Sequence, residues 1–196
     1  MSDTSASAAA PQQSEVASSS KRDVAIKLFA RTDVGQVREH NEDNFLVADL
    51  TKRQRGIQEA VRVVTVGKNG NILAVCDGMG GAAAGEVASQ LAVDIIYEKM
   101  TEDIAADAQL TRNELARRLV RAVEAAGLRI FEAAKNDRTR RGMGTTVTAA
   151  ALVDDHLFLA QVGDSRGYIL REGTLVQVTR DQSLVNQLIE AGQLTE

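Results

Sequence analysis

Apolar residues alternate with polar or small ones at Val24, Ile26 and Leu28, and a second short run, Asn44-Phe45-Leu46-Val47, follows a strongly polar stretch; both read as strands. Val61, Val63 and Val64 lead into Gly67-Lys68-Asn69-Gly70, rich in residues that tolerate positive φ, and Ile72 to Cys76 then returns as a continuous apolar strand. This arrangement predicts a hairpin over residues 60–77. From about Gly85 to Met100 the period lengthens to that of a helix, with Val87, Leu91 and Ile95 on one face. Thr111-Arg112-Asn113-Glu114 is a capping box opening a second helix whose stripe is Leu115, Leu119, Val123, Ala126 and Ile130 and which ends near Asn136. After Gly142-Met143-Gly144, short strands are expected at 145–153, 156–162, 168–170 and 175–178, with a last helix over 183–191. Strands, two adjacent helices and further strands make an α+β chain, with sheets carrying helices on their outer faces.

Composition separates off residues 1–22, which are mostly Ser, Ala and Gln, hold the only proline, Pro11, and have almost no large apolar side chain. Such a segment cannot bury enough surface to offset its ordering entropy and reads as a disordered tail. It has no basic start followed by an apolar core, as a secretory signal requires. The rest of the 196-residue chain, from residue 23, reads as one domain able to bury roughly two-thirds of its unfolded surface. Cys76 is the only cysteine, so an intrachain disulfide is excluded; within its apolar run it reads as a small core residue. No apolar stretch approaches the ~20 residues of a membrane helix, and the expectation is a soluble, cytoplasmic protein. With 23 basic and 27 acidic residues the net charge is −4, which gives no general attraction to nucleic acid, and Arg138-Thr139-Arg140-Arg141 reads as a solvated loop.

The chemistry concentrates in two stretches about thirty residues apart, Arg38-Glu39-His40-Asn41-Glu42-Asp43 and Val75-Cys76-Asp77-Gly78-Met79-Gly80-Gly81, with a third at Gly163-Asp164-Ser165-Arg166. Each is unremarkable alone: Asp-Gly is usually a turn, Glu-Asp an acidic loop. Together they suggest a two-metal phosphatase, because carboxylates at strand ends suit hard cations and a guanidinium suits a phosphate. The glycines after Asp77 would let the backbone approach a cation and expose the Gly78 carbonyl. A rival reading takes Gly78-Met79-Gly80-Gly81-Ala82-Ala83 as a dinucleotide fingerprint between strand and helix. Asp77 before the first glycine, and Glu98 within a helical pattern instead of at a strand end, weigh against it. No arginine follows Cys76 at the spacing of a thiol phosphatase loop.

Thr32-Asp33-Val34-Gly35, Arg38 to Asp43, Asp77 to Gly81, Gly142-Met143-Gly144-Thr145-Thr146 and Gly163 to Arg166 together resemble successive motifs of the PP2C family of metal-dependent Ser/Thr protein phosphatases, in its bacterial branch, over about residues 24–196. The resemblance implies a sandwich of two antiparallel β-sheets flanked by helices, αββα, with a dinuclear Mn²⁺ or Mg²⁺ centre at one end. It implies hydrolysis of phosphoserine or phosphothreonine by direct attack of hydroxide held at that centre. Carried over by position, Arg38 grips the substrate phosphate, Asp43 bridges the metals, Asp77 and the Gly78 carbonyl are further ligands, and Glu42 orients metal-bound water. Asp164 resembles the ligand of an additional, weaker metal, whereas Gly142 to Thr146 resembles a structural motif opening a core strand. The implied partners are phosphoproteins and Ser/Thr kinases, with neither nucleic acid nor membrane, for a protein acting as a monomer.

The sequence departs from the family pattern at three places. Met79 stands where eukaryotic members carry a proton-donating histidine, as in the bacterial type, and Gln182 replaces a common histidine. His40 reads as an incidental loop histidine. Two further metal-binding aspartates, in motifs resembling S-D-G-L and D-N, do not occur before Glu196. The expectation is an incomplete sequence; natural truncation, or a pseudophosphatase module that binds phosphoproteins without turnover, are the alternatives. Intact Arg38, Asp43 and Asp77 favour the first.

Overall fold

The computed structural model describes residues 24–56, 61–81, 84–105, 107–183 and 192. The tail expected at 1–22 and the helix expected over 183–191, apart from Ser183, lie outside them.

The centre is an antiparallel sheet in the order β3 (Gln54–Arg55), β2 (Asp43–Asp49), β5 (Asn71–Met79), β7 (Val147–Val153) and β8 (His156–Val162), with β6 (Gly144–Thr145) added to the far end of β5. Two helices, α1 (Ala84–Thr101) and α2 (Arg112–Asn136), cover one face. On the other face lie two separate ladders, β1 (Ala25–Phe29) with β4 (Val61–Thr65), and β9 (Tyr168–Arg171) with β10 (Thr174–Gln177). The architecture is α+β, as the strand and helix patterns predict.

Alternation along β5 assigns the faces. Ile72, Ala74 and Cys76 are buried toward the helices with their cross-strand neighbours Ala48, Leu46, Ala149 and Ala151. Leu73 turns the other way, to Val47, Leu28 and Val64 in a second, smaller core. Cys76 is 1% exposed, as expected of a core residue, and burial pushes its thiol up to about 12.

The expected hairpin over 60–77 does not form. Both strands exist, but β4 pairs with β1 and β5 pairs with β2 and β7, so Gly67 to Gly70 carries the chain from one sheet to the other. Its turn is held by the Gly70 N–H donating to the Gly67 carbonyl at 2.9 Å. Burial of Val64 against Leu28 and Val47 in the second core accounts for the change of partner.

The stripe on α1 also needs correction. Its most buried positions are Ala88, Ala92, Val93, Ile96 and Met100, with Val87, Leu91 and Ile95 half-buried alongside. The alanines let the helix axis approach the sheet closely. On α2 the capping box is present, Leu115, Leu119, Ala126 and Ile130 are buried, and Val123 is half-buried. Residues 138–140 form a short 3₁₀ turn capped by Asp137, and Arg138, Thr139 and Arg141 are exposed, as expected of a solvated segment.

Candidate active site

Antiparallel order brings the start of β2, the end of β5, the start of β7 and the end of β8 to one end of the sheet. Asp43 and Asp77 are therefore directly opposed across β2 and β5, on the face away from the helices. Asp164 follows β8 by two residues, and Val162 at the end of β8 pairs with Val147. The Asp77 carboxyl is held above its usual range, first by desolvation, then by the charge of Asp43, a hydrogen bond with it, and the charge of Asp164; Arg38 acts in the opposite sense. Asp77 thus lies within electrostatic reach of three other expected site residues, Asp43, Asp164 and Arg38.

Hydrogen bonds hold the backbone of Asp77 and of Asp43 in place. The Asp77 N–H donates to Thr146 Oγ1 at 3.1 Å, while its carbonyl accepts from Thr146 N–H at 2.8 Å and Thr145 Oγ1 at 2.9 Å. Thr145 and Thr146 therefore clamp the backbone of Asp77. Asp43 N–H donates to Asn41 Oδ1 at 3.0 Å, and Asn41 Nδ2 reaches Thr32 Oγ1 at 2.8 Å, tying the two ends of the Arg38 loop together. The fully buried Ser89 of α1 donates from Oγ to the Glu42 carbonyl at 2.6 Å and accepts from Asn44 Nδ2 at 3.0 Å.

Gly78 is the closest-packed position of the site. A Cβ there would stand 2.1 Å from the Gly85 carbonyl oxygen and 2.6 Å from that of Glu42, so only glycine lets β5 pass between β2 and the start of α1. A Cβ on Gly85 would likewise meet Glu42 Oε1 at 2.7 Å. Glu42 is thereby held against α1 with its carboxylate 3.9 Å from the exposed Arg38 guanidinium.

The Asp164 loop is held independently. Gln182 makes a reciprocal pair with Gly163: its N–H donates to the Gly163 carbonyl at 3.0 Å and its Oε1 accepts from Gly163 N–H at 3.1 Å. Ser165 Oγ hydrogen-bonds Thr146 Oγ1 at 2.7 Å, which connects this loop to the clamp on Asp77. Arg166 grips Asp181 through Nε, 2.9 Å from each carboxylate oxygen. Sequence reading singled out Gln182 only as a departure, took Asn41 and the two threonines only as members of their motifs, and gave Ser89 no part; the contacts they make join segments far apart along the chain.

A cleft of about 420 Å³ lies over this end of the sheet, lined by Asp33, Arg38, His40, Asp43, Asp77 and Met79 among others. Its donors are hard oxygens, which fit Mg²⁺ or Mn²⁺. Among the described residues no three His, Cys, Asp or Glu side chains form a complete metal-holding group, but Mg²⁺ keeps several waters and is commonly held through one or two carboxylates. The dinucleotide reading does not survive, because both neighbours of β5 in the main sheet are antiparallel to it and the described residues form no βαβ unit. No helix among the described residues is long and apolar enough to cross a membrane.

Residues 51–191 match the sequence profile of the family described as Protein phosphatase 2C. The chain is 36% identical over 166 residues to the serine/threonine phosphatase stp of Listeria welshimeri, covering 85% of this chain and 58% of that protein. The chain thus spans little more than half the length of that relative. Among solved structures, the serine/threonine phosphatase of S. agalactiae superposes with a TM-score of 0.69 at 32% identity, covering 88% of this chain and 62% of the other. The catalytic domain of the phosphatase PstP in complex with two manganese ions gives 0.63 at 34% identity, covering 88% and 63%. An antiparallel sheet with opposed Asp43 and Asp77 at one end, and a profile match over most of the sequence, have a single reading: the chain belongs to the protein phosphatase 2C family.

Proposed function

We propose that the chain belongs to a protein serine/threonine phosphatase that hydrolyses phosphoserine and phosphothreonine with two Mn²⁺ or Mg²⁺ ions. The observation that carries this reading is the placement of Asp43 and Asp77 in register in one cleft with Arg38. The named phosphatases it resembles, and the two manganese ions bound by PstP, support it.

Asp43, Asp77 and the Gly78 carbonyl would hold the two ions, and Asp164 a third, weaker one. When bound, such ions supply a water activated for in-line attack and neutralise charge on the phosphoryl oxygens. Arg38, on the exposed rim, is free to swing onto the phosphate and hydrogen-bond two of its oxygens through its planar guanidinium. Glu42, buried on one side by α1, offers a carboxylate within reach of Arg38 and orients water in the cleft. Met79 cannot donate a proton, so the leaving seryl or threonyl oxygen takes its proton from water or from another residue of the cleft. The setting we infer is cytoplasmic signalling, in which a monomeric phosphatase opposes Ser/Thr kinases on shared phosphoprotein substrates.

The test is Mn²⁺-dependent phosphate release from a phosphothreonine peptide, with a chelator and Asp43→Asn as controls, on this chain and on a longer gene product. Turnover abolished by both controls is the expected result. Turnover by the longer product that survives both would refute the metal mechanism; metal-independent capture of phosphopeptide without any release would instead establish a binding module.

A further inference from the structure

A second depression, of about 530 Å³, adjoins the acidic cleft and differs from it in character. It runs between the C-terminal half of α2 and residues 141–145. Met79 lines both, so the two are continuous across that one side chain. Met79 rests over Gly144, where a Cβ would come within 2.7 Å of its Cε. The groove has an apolar floor, with Ile130 and Met143 at 7% and 6% exposure, and an exposed apolar wall, with Phe131 at 65% and Met79 at 62%.

Charge distinguishes the two more sharply. The cleft is walled by Asp33, Glu42, Asp43 and Asp77, whereas no acid among the described residues lines the groove. Its charged residues, among those described, are Lys135, on the last turn of α2, and Arg141, both exposed and neither ion-paired with a described residue. The neighbouring Arg140 is by contrast neutralised by Asp137 at 3.2 Å. An exposed aromatic beside cations without acidic partners is the composition of a recognition surface.

We propose that this groove holds the residues flanking the phosphorylated side chain of the substrate protein, selecting an apolar side chain against Met79 and Phe131 and a carboxylate on Arg141 and Lys135. The proposal rests on the phosphatase reading, since it assumes that the phosphate lies in the Asp43–Asp77 cleft. Met79 is two strand residues beyond Asp77, a separation of about 7 Å. An extended peptide anchored by its phosphate therefore brings residues about two to four positions from the phosphorylated one over the groove. The complementarity is of charge as well as shape: the doubly negative phosphate goes to the cations and Arg38, and the flanking carboxylate to a separate basic rim, beyond the repulsion of the acidic cleft.

Fluorescence anisotropy with Mn²⁺ present tests this without requiring turnover. The probes are labelled phosphothreonine peptides flanked by Leu and Asp or by Gly and Lys, each with its unphosphorylated counterpart. The Leu/Asp phosphopeptide should bind about tenfold more tightly than the Gly/Lys one. Phe131→Ser should remove the part of that preference due to Leu. Arg141→Glu should invert the charge preference, so that a Leu/Lys phosphopeptide gains affinity, a gain that misfolding cannot produce. Equal binding of all flanking sequences, with phosphate still required, overturns the groove assignment and leaves the phosphatase reading intact. Binding indifferent to phosphate in every arm defeats the phosphatase reading and, with it, this one. Absence of binding in all arms overturns the groove assignment.

Discussion

Replacement of Gly78 by alanine is the sharpest test of how the site is held. A Cβ at this position would stand 2.1 Å from the Gly85 carbonyl oxygen, 2.5 Å from its carbon and 2.6 Å from the Glu42 carbonyl oxygen. All three are backbone atoms, so no rotamer change relieves the clash; either β2 or the start of α1 must move by about 1 Å to restore ordinary contact. Overpacking of this kind costs about 3 kcal/mol at the upper end of the usual range. For a domain of this size that corresponds to a fall in Tm of roughly 6–12 °C. Glu42 and Asp43 share the displaced segment, and a 1 Å error in placing a catalytic group costs about 100-fold in rate. Two other glycines calibrate the result. At Gly144 the obstacle is the end of the flexible Met79 side chain, and at Gly81 nothing lies within 4 Å. Circular dichroism melting should therefore rank Gly78→Ala far below Gly144→Ala, with Gly81→Ala close to wild type. A Gly78→Ala protein melting within 2 °C of wild type would show that β5 is not wedged between β2 and α1, and the reasoning would fail (about 1 kcal/mol is the smallest shift that distinguishes them).

Three further outcomes follow from other parts of the fold. Ser89→Ala should cost about 1–3 kcal/mol in chemical denaturation, because it leaves the Asn44 amide without the Ser89 hydroxyl in a part-buried place and the Glu42 carbonyl with only the longer bond from Gly78 N–H; an unchanged midpoint would contradict this. In the capping box, hydrogen bonds from Thr111 lower the Glu114 pKa below its usual value. Its charge therefore stabilises the fold above the unfolded-state pKa, and this contribution is lost as pH falls through the lower folded-state pKa. The stability gap between wild type and Glu114→Gln should accordingly be present at neutral pH and close in acid; a gap that widens in acid would count against the cap. Cys76, fully buried, should resist thiol-specific disulfide reagents in the folded protein at pH 8 and react at the rate of global unfolding in denaturant. Rapid labelling without denaturant would place it at the surface.

Local signals were legible in the sequence and long-range ones were not. The α2 capping box lies within four consecutive residues, and its stripe repeats along one element, so both could be read directly. The five motifs could be read because their order carries the family likeness. Whether β4 pairs with β5 or with β1 is decided by burial of Val64 against Leu28 and Val47, residues distant along the chain. On α1 the larger residues Val87, Leu91 and Ile95 attracted attention, but close approach to the sheet favours the smaller Ala88 and Ala92. Arg38, Glu42, Asp43, Asp77, Gly78 and Asp164 could be named individually. Their support by Ser89, Thr146 and Gln182 depends on elements that meet only after folding.

The opposition of Asp43 and Asp77 has a consequence for errors of assembly. A shift of β2 by one residue along β5 would carry Asp43 to the helix side, and Leu46 and Ala48 away from it. The carboxylate would then take the place of Asn44 against the fully buried Ser89, where an ionised group costs far more to desolvate than an amide. A chain in the wrong alignment is thus disfavoured by the same two acids that the proposed function places at the metal centre, so that the alignment of β2 on β5 and the assembly of the cleft stand or fall together.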